Sequence, residues 1–149
     1  MEMSKGIKIY GIAVIVYGVY NLIGIGSFKQ FSFMFQPLPS PVIAAVYIFT
    51  IFYGICGVYC GSKILRLEDW ARKMILGLTV VSVISGLFLN RMVMANFRNF
   101  LMTEQSRVTP DMAGPVYTYA VVFTALVTIF ELSIIYYFSR PGVIRQFRK

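Results

Sequence analysis

The run VIAAVYIFTIFYGICGVYCGSKI, residues 42–64, reaches its first charged side chain only at Lys63. A helix needs about 20 predominantly apolar residues to cross the hydrocarbon core of a bilayer, so a run of this length is typical of a transmembrane helix. Three more runs of the same kind lie at about 7–26, 70–89 and 116–138. Together the four runs predict an all-α chain whose four transmembrane helices form a bundle.

The composition of the whole chain favours the same interpretation. Of its 149 residues, 58% are hydrophobic and 13% are charged, whereas a soluble domain typically has about 25% charged residues. The net charge of +8 would indicate nucleic acid binding in a soluble protein, but here the basic residues stand mostly between and beside the apolar runs. We therefore expect residues 1–149 to form a single integral membrane domain that contacts membrane lipids and no nucleic acid.

The basic residues are divided unequally between the two sides of the predicted bundle. An even number of spans places both termini on one side, and that side carries ten of the 14 lysine and arginine residues. Because segments rich in these residues stay in the cytoplasm, we expect both termini to be cytoplasmic and the membrane to be a bacterial inner membrane. The ten are Lys5, Lys8, Lys63, Arg66, Arg72, Lys73, Arg140, Arg145, Arg148 and Lys149, and the others are Lys29, Arg91, Arg98 and Arg107.

The short stretch LRLEDWARK between the second and third runs predicts a tight cytoplasmic hairpin. Glu68 and Asp69 precede Arg72 and Lys73 by four residues each, which is the favourable order for ion pairs on a helix. Acidic side chains are also favoured at the start of a helix. We expect this stretch to be structural, with Trp70 at the level of the lipid head groups. Docking of a soluble protein is the alternative.

Two longer connections lie on the opposite side of the predicted bundle. Residues 27–41 are rich in phenylalanine and proline, which favours an extended path. In residues 90–115, the side chains of Val93, Phe97 and Phe100 fall at helical spacing. This pattern predicts either that the third helix continues through them or that they form an amphipathic interfacial helix between helices three and four.

The chain ends in a basic cytoplasmic tail, residues 140–149. Each basic residue near anionic lipid contributes about 1 kcal/mol, so the tail is expected to lie on the membrane surface with Phe147 in the interface. A solvated tail is the alternative. The residues expected to contact lipid or a partner are Trp70, Arg140, Arg145, Arg148 and Lys149.

Helices one and two carry glycine residues that favour close packing. Small residues let helix backbones approach each other in lipid, where apolar burial does not drive helices together. We expect these glycines to pack helices one and two within one chain, or else to form a contact between two copies. They are Gly11, Gly18, Gly54, Gly57 and Gly61.

The residue types that usually carry chemistry are scarce. The chain has no histidine, and its two cysteines, Cys56 and Cys60, lie four residues apart in an apolar run. Side chains at this spacing on one helix point in parallel directions, so we expect small apolar fillers of a helix face rather than a disulfide. No catalytic set, metal-ligand set or phosphate-binding motif is present in the sequence, so we expect no enzyme activity, cofactor or metal.

Glu131 is a carboxylate inside the fourth run, in TIFELSII. An acidic residue at the centre of a membrane costs about 2.5–3.5 kcal/mol, and each large apolar residue returns about 0.3–0.6 kcal/mol, so the helix can still insert. No basic residue lies at this depth in the predicted spans. The hydroxyl donors at matching depth are Tyr17, Tyr53, Thr79 and Ser82.

Three roles for Glu131 remain open from the sequence. It can form hydrogen bonds between helices of its own bundle, handle a proton or cation in a transport path, or contact a separate membrane subunit through an arginine or lysine of that subunit. Asn21, in the first span, is similarly expected to form a hydrogen bond between helices.

Two stretches, LEDWARKMI and YYFSRPGVIRQF, resemble small uncharacterised bacterial membrane proteins with four helices. Those proteins show a Trp-Ala-Arg step at the cytoplasmic start of a helix and an Arg-Pro-x-Val-x-x-x-Phe-like tail. The resemblance covers residues 67–75 and 136–147, and it implies a fold but no particular activity. Small multidrug transporters also have four helices and one essential membrane glutamate, but theirs lies in the first helix, which Glu131 does not match.

The sequence therefore predicts a non-catalytic integral membrane protein that acts as a homo-oligomer or as an accessory or structural subunit of a membrane complex. Its expected partners are lipids and either a second copy or another membrane protein. The alternative is a small proton- or cation-coupled transporter or channel that uses Glu131.

Overall fold

The computed structural model describes residues 4–31, 38–102 and 110–147 of the chain. This part of the chain is built from five α-helices and contains no strand, so the predicted all-α fold is confirmed. The helices are α1 (Lys5–Phe31), α2 (Ser40–Ile64), α3 (Asp69–Leu101), α4 (Pro110–Ser139) and α5 (Pro141–Phe147).

Four of these helices are long and apolar enough to cross a membrane, as the four apolar runs predict. The segments are Lys5–Ile25, Ser40–Ile64, Asp69–Leu101 and Asp111–Ser139. Helix α4 begins earlier than the predicted residue 116, at Pro110, because proline is well accepted in the first turn of a helix.

Helix α3 is longer than its predicted span. It has 33 residues, which at a rise of 1.5 Å per residue give a length of about 50 Å, against a hydrocarbon core of about 30 Å. The helical pattern of residues 93–101 therefore belongs to α3 and not to a separate interfacial helix. The extended path predicted for residues 27–41 is wrong at both ends, because α1 continues to Phe31 and α2 begins at Ser40. Residues 32–37 and 103–109 of the two long connections lie outside the described part of the chain.

The four long helices alternate in direction, so both termini meet at one end of the bundle. The backbone N–H of Ser4 donates a hydrogen bond to Oε1 of Gln146 over 3.3 Å. At the same end, Tyr10 of α1 stacks on Tyr137 of α4 with ring centroids 4.2 Å apart. We call this the terminal end of the bundle, and the half farther from it the distal half.

Helices α1 and α2 approach each other through the glycine residues named above. A Cβ atom added at Gly18 would lie 2.8 Å from the carbonyl oxygen of Gly54. One added at Gly57 would lie 3.0 Å from the Cα of Gly18, and one added at Gly61 would lie 2.9 Å from the carbonyl oxygen of Gly11. These contacts are backbone to backbone within one chain, so a side chain at these positions would force the two helices apart.

The apolar core lies at the terminal end and joins all five helices. Helix α5 contributes Val143 and Phe147 to it, so the tail over residues 141–147 is not a solvated segment. Phe147 is only 4% exposed, and its ring packs edge-on against Phe138 with centroids 6.3 Å apart. Fully or nearly fully buried core residues are Ile7, Ile64, Ile75, Ile134, Phe138, Val143 and Phe147.

The expectation that Phe147 enters the lipid interface is therefore wrong, because apolar surface of the other helices covers its ring instead. The described arginine side chains of the tail, unlike this ring, are exposed. They are Arg140 and Arg145, and the Arg140 guanidinium lies 4.9 Å from the centre of the Tyr136 ring. Arg148 and Lys149 lie outside the described residues.

The hairpin between α2 and α3 is closed by backbone hydrogen bonds. The N–H of Glu68 donates to the carbonyl oxygen of Lys63 over 3.1 Å, and the N–H of Leu67 donates to that of Ile64 over 2.9 Å. This pair of bonds is the Schellman pattern that ends many helices. Leu67 has a φ of 61°, a left-handed conformation that glycine usually supplies at this position.

The ion pairs of the hairpin differ from those that the spacing of four residues predicts. Asp69 binds Lys73 over 2.7 Å as predicted, but it also binds Arg72 over 2.8 Å. Glu68 instead accepts a hydrogen bond from Lys63 over 3.0 Å and one from the indole N–H of the exposed Trp70 over 2.6 Å. Glu68 precedes the first turn of α3, so its side chain turns back toward α2 rather than along α3.

We expect the bundle to lose the stabilisation from Glu68 in acid. The hydrogen bonds from Lys63 and Trp70 hold the pKa of the Glu68 carboxyl below its ordinary value. A carboxyl with a lower pKa in the folded chain stabilises the fold above its unfolded pKa of about 4.3, and this effect is lost as the pH falls through the folded value. Melting temperatures of the wild type and Glu68→Gln should therefore differ at neutral pH and converge in acid. A gap that stays constant with pH would contradict this prediction.

Candidate functional site

Glu131 joins three helices from inside the bundle. It lies on α4 and is 5% exposed. Its Oε1 atom accepts a hydrogen bond from the Tyr17 hydroxyl of α1 over 3.0 Å. The same atom accepts a second bond from the Ser82 hydroxyl of α3 over 2.8 Å. Two of the four hydroxyl groups at matching depth are thus the donors to the carboxylate.

The other two predicted donors, Tyr53 and Thr79, bind each other. Their hydroxyl oxygens are 3.1 Å apart, and both residues are buried. The Thr79 hydroxyl donates its one proton to the carbonyl oxygen of Ile75 over 2.7 Å, so Tyr53 must be the donor to Thr79. The Tyr53 ring meets the Tyr17 ring edge-on at 5.8 Å, which places this pair directly beside the Glu131 site.

The second carboxylate oxygen of Glu131, Oε2, accepts no hydrogen bond from the described residues. The described part of the chain contains no fully buried side-chain oxygen or nitrogen that lacks a hydrogen bond. Oε2 is therefore not fully enclosed by the protein. Among the described side chains, the ion pairs all lie at the hairpin of α2 and α3, and none involves Glu131.

Among the described residues, the side chain of Asn21 bonds within its own helix and not between helices. Its side-chain N–H donates to the carbonyl oxygen of Tyr17 over 2.8 Å, which is a bond within α1. A polar side chain in a helix can form a hydrogen bond with the carbonyl oxygen four residues earlier, and Asn21 does so.

A cleft of about 180 Å³ lies between α1, α2 and α3 in the distal half, and we call it the distal cleft. Ser82, which donates to Glu131, forms part of its wall, so Glu131 lies one side chain behind the cleft. Thr50, Ser85 and Gly86 were not singled out from the sequence, because isolated small polar residues in an apolar helix carry little signal. The lining residues are Asn21, Val46, Phe49, Thr50, Tyr53, Ser82, Ser85, Gly86 and Leu89.

A second space, of about 640 Å³, is an apolar groove between α1 and α4. Ile12 and Val16 form one wall, and Phe123 and Leu126 form the other. Tyr17 also lines this groove, so a molecule seated in it lies within one side chain of Glu131. We call this space the lateral groove.

The cysteines occupy neither space. Cys56 and Cys60 are buried free thiols on α2 and are absent from the walls of the distal cleft and the lateral groove. No group of three or more metal-binding side chains occurs among the described residues. The chemistry available near Glu131 is therefore that of one carboxylate surrounded by hydroxyl groups.

These features define a four-helix bundle of membrane-spanning character with one carboxylate hydrogen-bonded across three helices. No protein-family model, curated protein or solved structure matches the chain. A functional assignment therefore has to depend on the residues and geometry of this chain itself.

Proposed function

We propose that the protein is a non-catalytic integral membrane component that works as a homo-oligomer or as an accessory or structural subunit of a membrane complex. One observation carries this proposal: Glu131 uses its carboxylate to hold α1 and α3 against α4 through Tyr17 and Ser82. A buried group that links helices in this way has a structural effect on the whole bundle.

The lateral groove supports an association with a further membrane component. Both of its walls are apolar and lie at membrane depth, where a neighbouring helix gains packing contacts without a cost in polar burial. Large apolar side chains also remain exposed along α4, among them Tyr119, Ile129 and Tyr136. The chain thus has apolar surface that its own helices do not cover.

The orientation that we propose places the terminal end in the cytoplasm of a bacterial inner membrane. Lys63 and Arg66 lie at this end together with the exposed Arg140 and Arg145, and such clusters stay on the cytoplasmic side. The Trp70-Ala-Arg step opens α3, and the Arg140-Pro step precedes α5. These positions support the proposal that the chain is one of the small four-helix bacterial membrane proteins that it resembles.

The structural role predicts that Glu131→Gln destabilises the bundle by about 1–2 kcal/mol, since hydrogen bonds to a charged acceptor are stronger than those to an amide. Tyr17→Phe removes one donor and keeps the aromatic ring. A double-mutant cycle of these two substitutions should give a coupling energy of about 0.5–1.5 kcal/mol in the free energy of unfolding.

A matched control for this cycle is Thr124→Val. Thr124 lies on the same helix as Glu131, and its hydroxyl bonds only within α4, to the carbonyl oxygen of Ala120 over 2.9 Å. Thr124→Val should couple to Tyr17→Phe by nearly zero. Equal coupling in both pairs would contradict a specific bond between Tyr17 and Glu131.

Native mass after mild detergent extraction tests the association itself. A discrete assembly of identical chains supports a homo-oligomer, and a stable mixed complex supports an accessory subunit. A monomer with no co-purifying protein contradicts both forms of the proposal.

A second candidate function is a small proton- or cation-coupled transporter or channel. The second oxygen of Glu131, which has no donor among the described residues, and the hydroxyl and amide groups in the wall of the distal cleft favour it. Glu131→Gln separates the two functions. A transporter loses coupled flux while its fold and assembly persist, whereas a structural link loses stability or assembly.

A further inference from the structure

Two hydroxyl groups in the wall of the distal cleft have already used their protons. The Thr50 hydroxyl donates to the carbonyl oxygen of Val46 over 2.8 Å, and the Ser82 hydroxyl donates to Glu131 over 2.8 Å. Each hydroxyl group has a single proton, so the lone pairs that remain can only accept.

Tyr53 and Asn21 add to the same pattern. The proton of the Tyr53 hydroxyl is used on Thr79, as shown above, and its oxygen keeps a lone pair. Asn21 uses one of its two side-chain N–H groups on the carbonyl oxygen of Tyr17, while its amide oxygen remains an acceptor. A wall of acceptor oxygens attracts a cation and repels an anion.

One carboxyl group, that of Glu131, lies behind the wall. Glu131 lies one side chain behind Ser82, whose hydroxyl donates to its Oε1. Calcium sites normally use six to eight oxygen ligands with several carboxylates, whereas one carboxylate balances one positive charge. No lysine or arginine lines the distal cleft. The charge balance therefore favours a monovalent cation.

The volume also suits a small ion that keeps part of its water shell. The cleft holds about 180 Å³, and one water molecule occupies about 30 Å³ in the liquid. Phe49 and Tyr53 place aromatic rings in the wall, and ring faces attract cations. The site can thus hold one alkali-metal ion together with a few water molecules.

We propose that the distal cleft binds one small monovalent cation, with oxygen atoms of Asn21, Thr50, Ser82 and Ser85 around the ion and Glu131 as its counter-charge. The proposal rests on the second candidate function, since a structural link needs no ion. The buried apolar core closes the bundle toward the terminal end, so the ion enters and leaves through the distal half.

Gly86 allows a direct test, because it lies in the wall and a Cβ added there meets no atom within 4 Å. Gly86→Phe places a ring in the cleft. Gly77→Phe is the matched control, since Gly77 also has open space within 4 Å but does not line the cleft. Nine residues separate the two glycines, which puts them on opposite sides of α3.

The first measurement is the binding of radioactive sodium to the purified full-length chain in detergent. The second is the shift in melting temperature when sodium or potassium chloride replaces an organic-cation salt at constant ionic strength. The wild type and Gly77→Phe should bind the ion and melt higher in its presence. Gly86→Phe and Glu131→Gln should lose at least about tenfold in affinity, a change of about 1.4 kcal/mol.

Ser85→Ala provides a milder variant in case the larger changes disturb folding. It should weaken ion binding several-fold and leave the melting temperature without the ion unchanged. Absence of sodium and potassium binding to the wild type overturns the proposal, and so does wild-type binding by Gly86→Phe or by Glu131→Gln. The cycle between Tyr17 and Glu131 is measured without these ions, so a failure of the structural role is seen separately from a failure of the ion site.

Discussion

Gly18→Ala should lower the free energy of unfolding of the bundle by about 1–3 kcal/mol, the usual cost of overpacking a tight contact. The new Cβ would lie 2.8 Å from the carbonyl oxygen of Gly54 and 2.8 Å from the backbone nitrogen of Val58. Backbone atoms cannot rotate out of the way as a flexible side chain can. Helices α1 and α2 must therefore separate, and the loss extends to the neighbouring contact at Gly57. Reversible unfolding in mixed detergent micelles measures the change.

Gly24→Ala is the control for this effect, since it makes the same chemical change on the same helix. A Cβ atom added at Gly24 meets no atom within 4 Å. Alanine is favoured over glycine inside a helix by up to about 1 kcal/mol, so this variant should be neutral or slightly more stable. If the two variants lose stability equally, the close contact of α1 with α2 is not what Gly18 provides.

Arg72→Ala should lower the free energy of unfolding by about 1–3 kcal/mol, because it leaves the buried carbonyl oxygen of Phe138 without its donor. Arg72 is 6% exposed. Its Nη1 donates to the carbonyl oxygen of Phe138 over 3.0 Å, and its Nε donates to Asp69 over 2.8 Å. The guanidinium also lies 5.8 Å from the centre of the Phe147 ring. One side chain thus ties the start of α3 to the end of α4 and to α5.

Lys73→Ala is the matched comparison, because Lys73 binds the same Asp69 over 2.7 Å from an exposed position. The Lys73 side chain is 68% exposed, and exposed pairs of this kind contribute about 0.3–0.5 kcal/mol. Limited proteolysis of the tail should release α5 from Arg72→Ala and leave it protected in Lys73→Ala. A similar loss of stability in both variants would mean that burial of Arg72 is unimportant.

The spans were predictable because lipid imposes a simple requirement on length and polarity. A run such as residues 42–64 has to be a helix of about that length, whatever surrounds it. The position of each residue along its predicted helix also limited the possible hydrogen-bond donors for Glu131 to four hydroxyl groups. Which of the four donate could not be predicted, because this depends on the rotation of each helix about its own axis. In the structure, Tyr17 and Ser82 reach the carboxylate. Tyr53 and Thr79 bind each other instead.

The features that the sequence did not reveal depend on surfaces brought together by folding. The segment PGVIRQF has no property that separates a tail on lipid from a helix against the bundle. Its position depends on Phe138 and Arg72, which belong to two other helices. Leu67 adopts a left-handed conformation without a glycine to signal it, and its contact with the apolar core favours leucine there. The distal cleft likewise draws its polar walls from three separate helices.

The position of Glu131 late in the chain has a consequence for biosynthesis. Helices α1 and α2 leave the ribosome before α3 and α4, and their contacts through Gly18, Gly57 and Gly61 involve neither later helix, so this pair can form before α3 and α4 are made. Tyr17 and Ser82 then enter the membrane ahead of the acidic residue that they bind. When α4 is inserted, its carboxylate can meet two hydroxyl groups already in place, which would join α4 to the helices made before it.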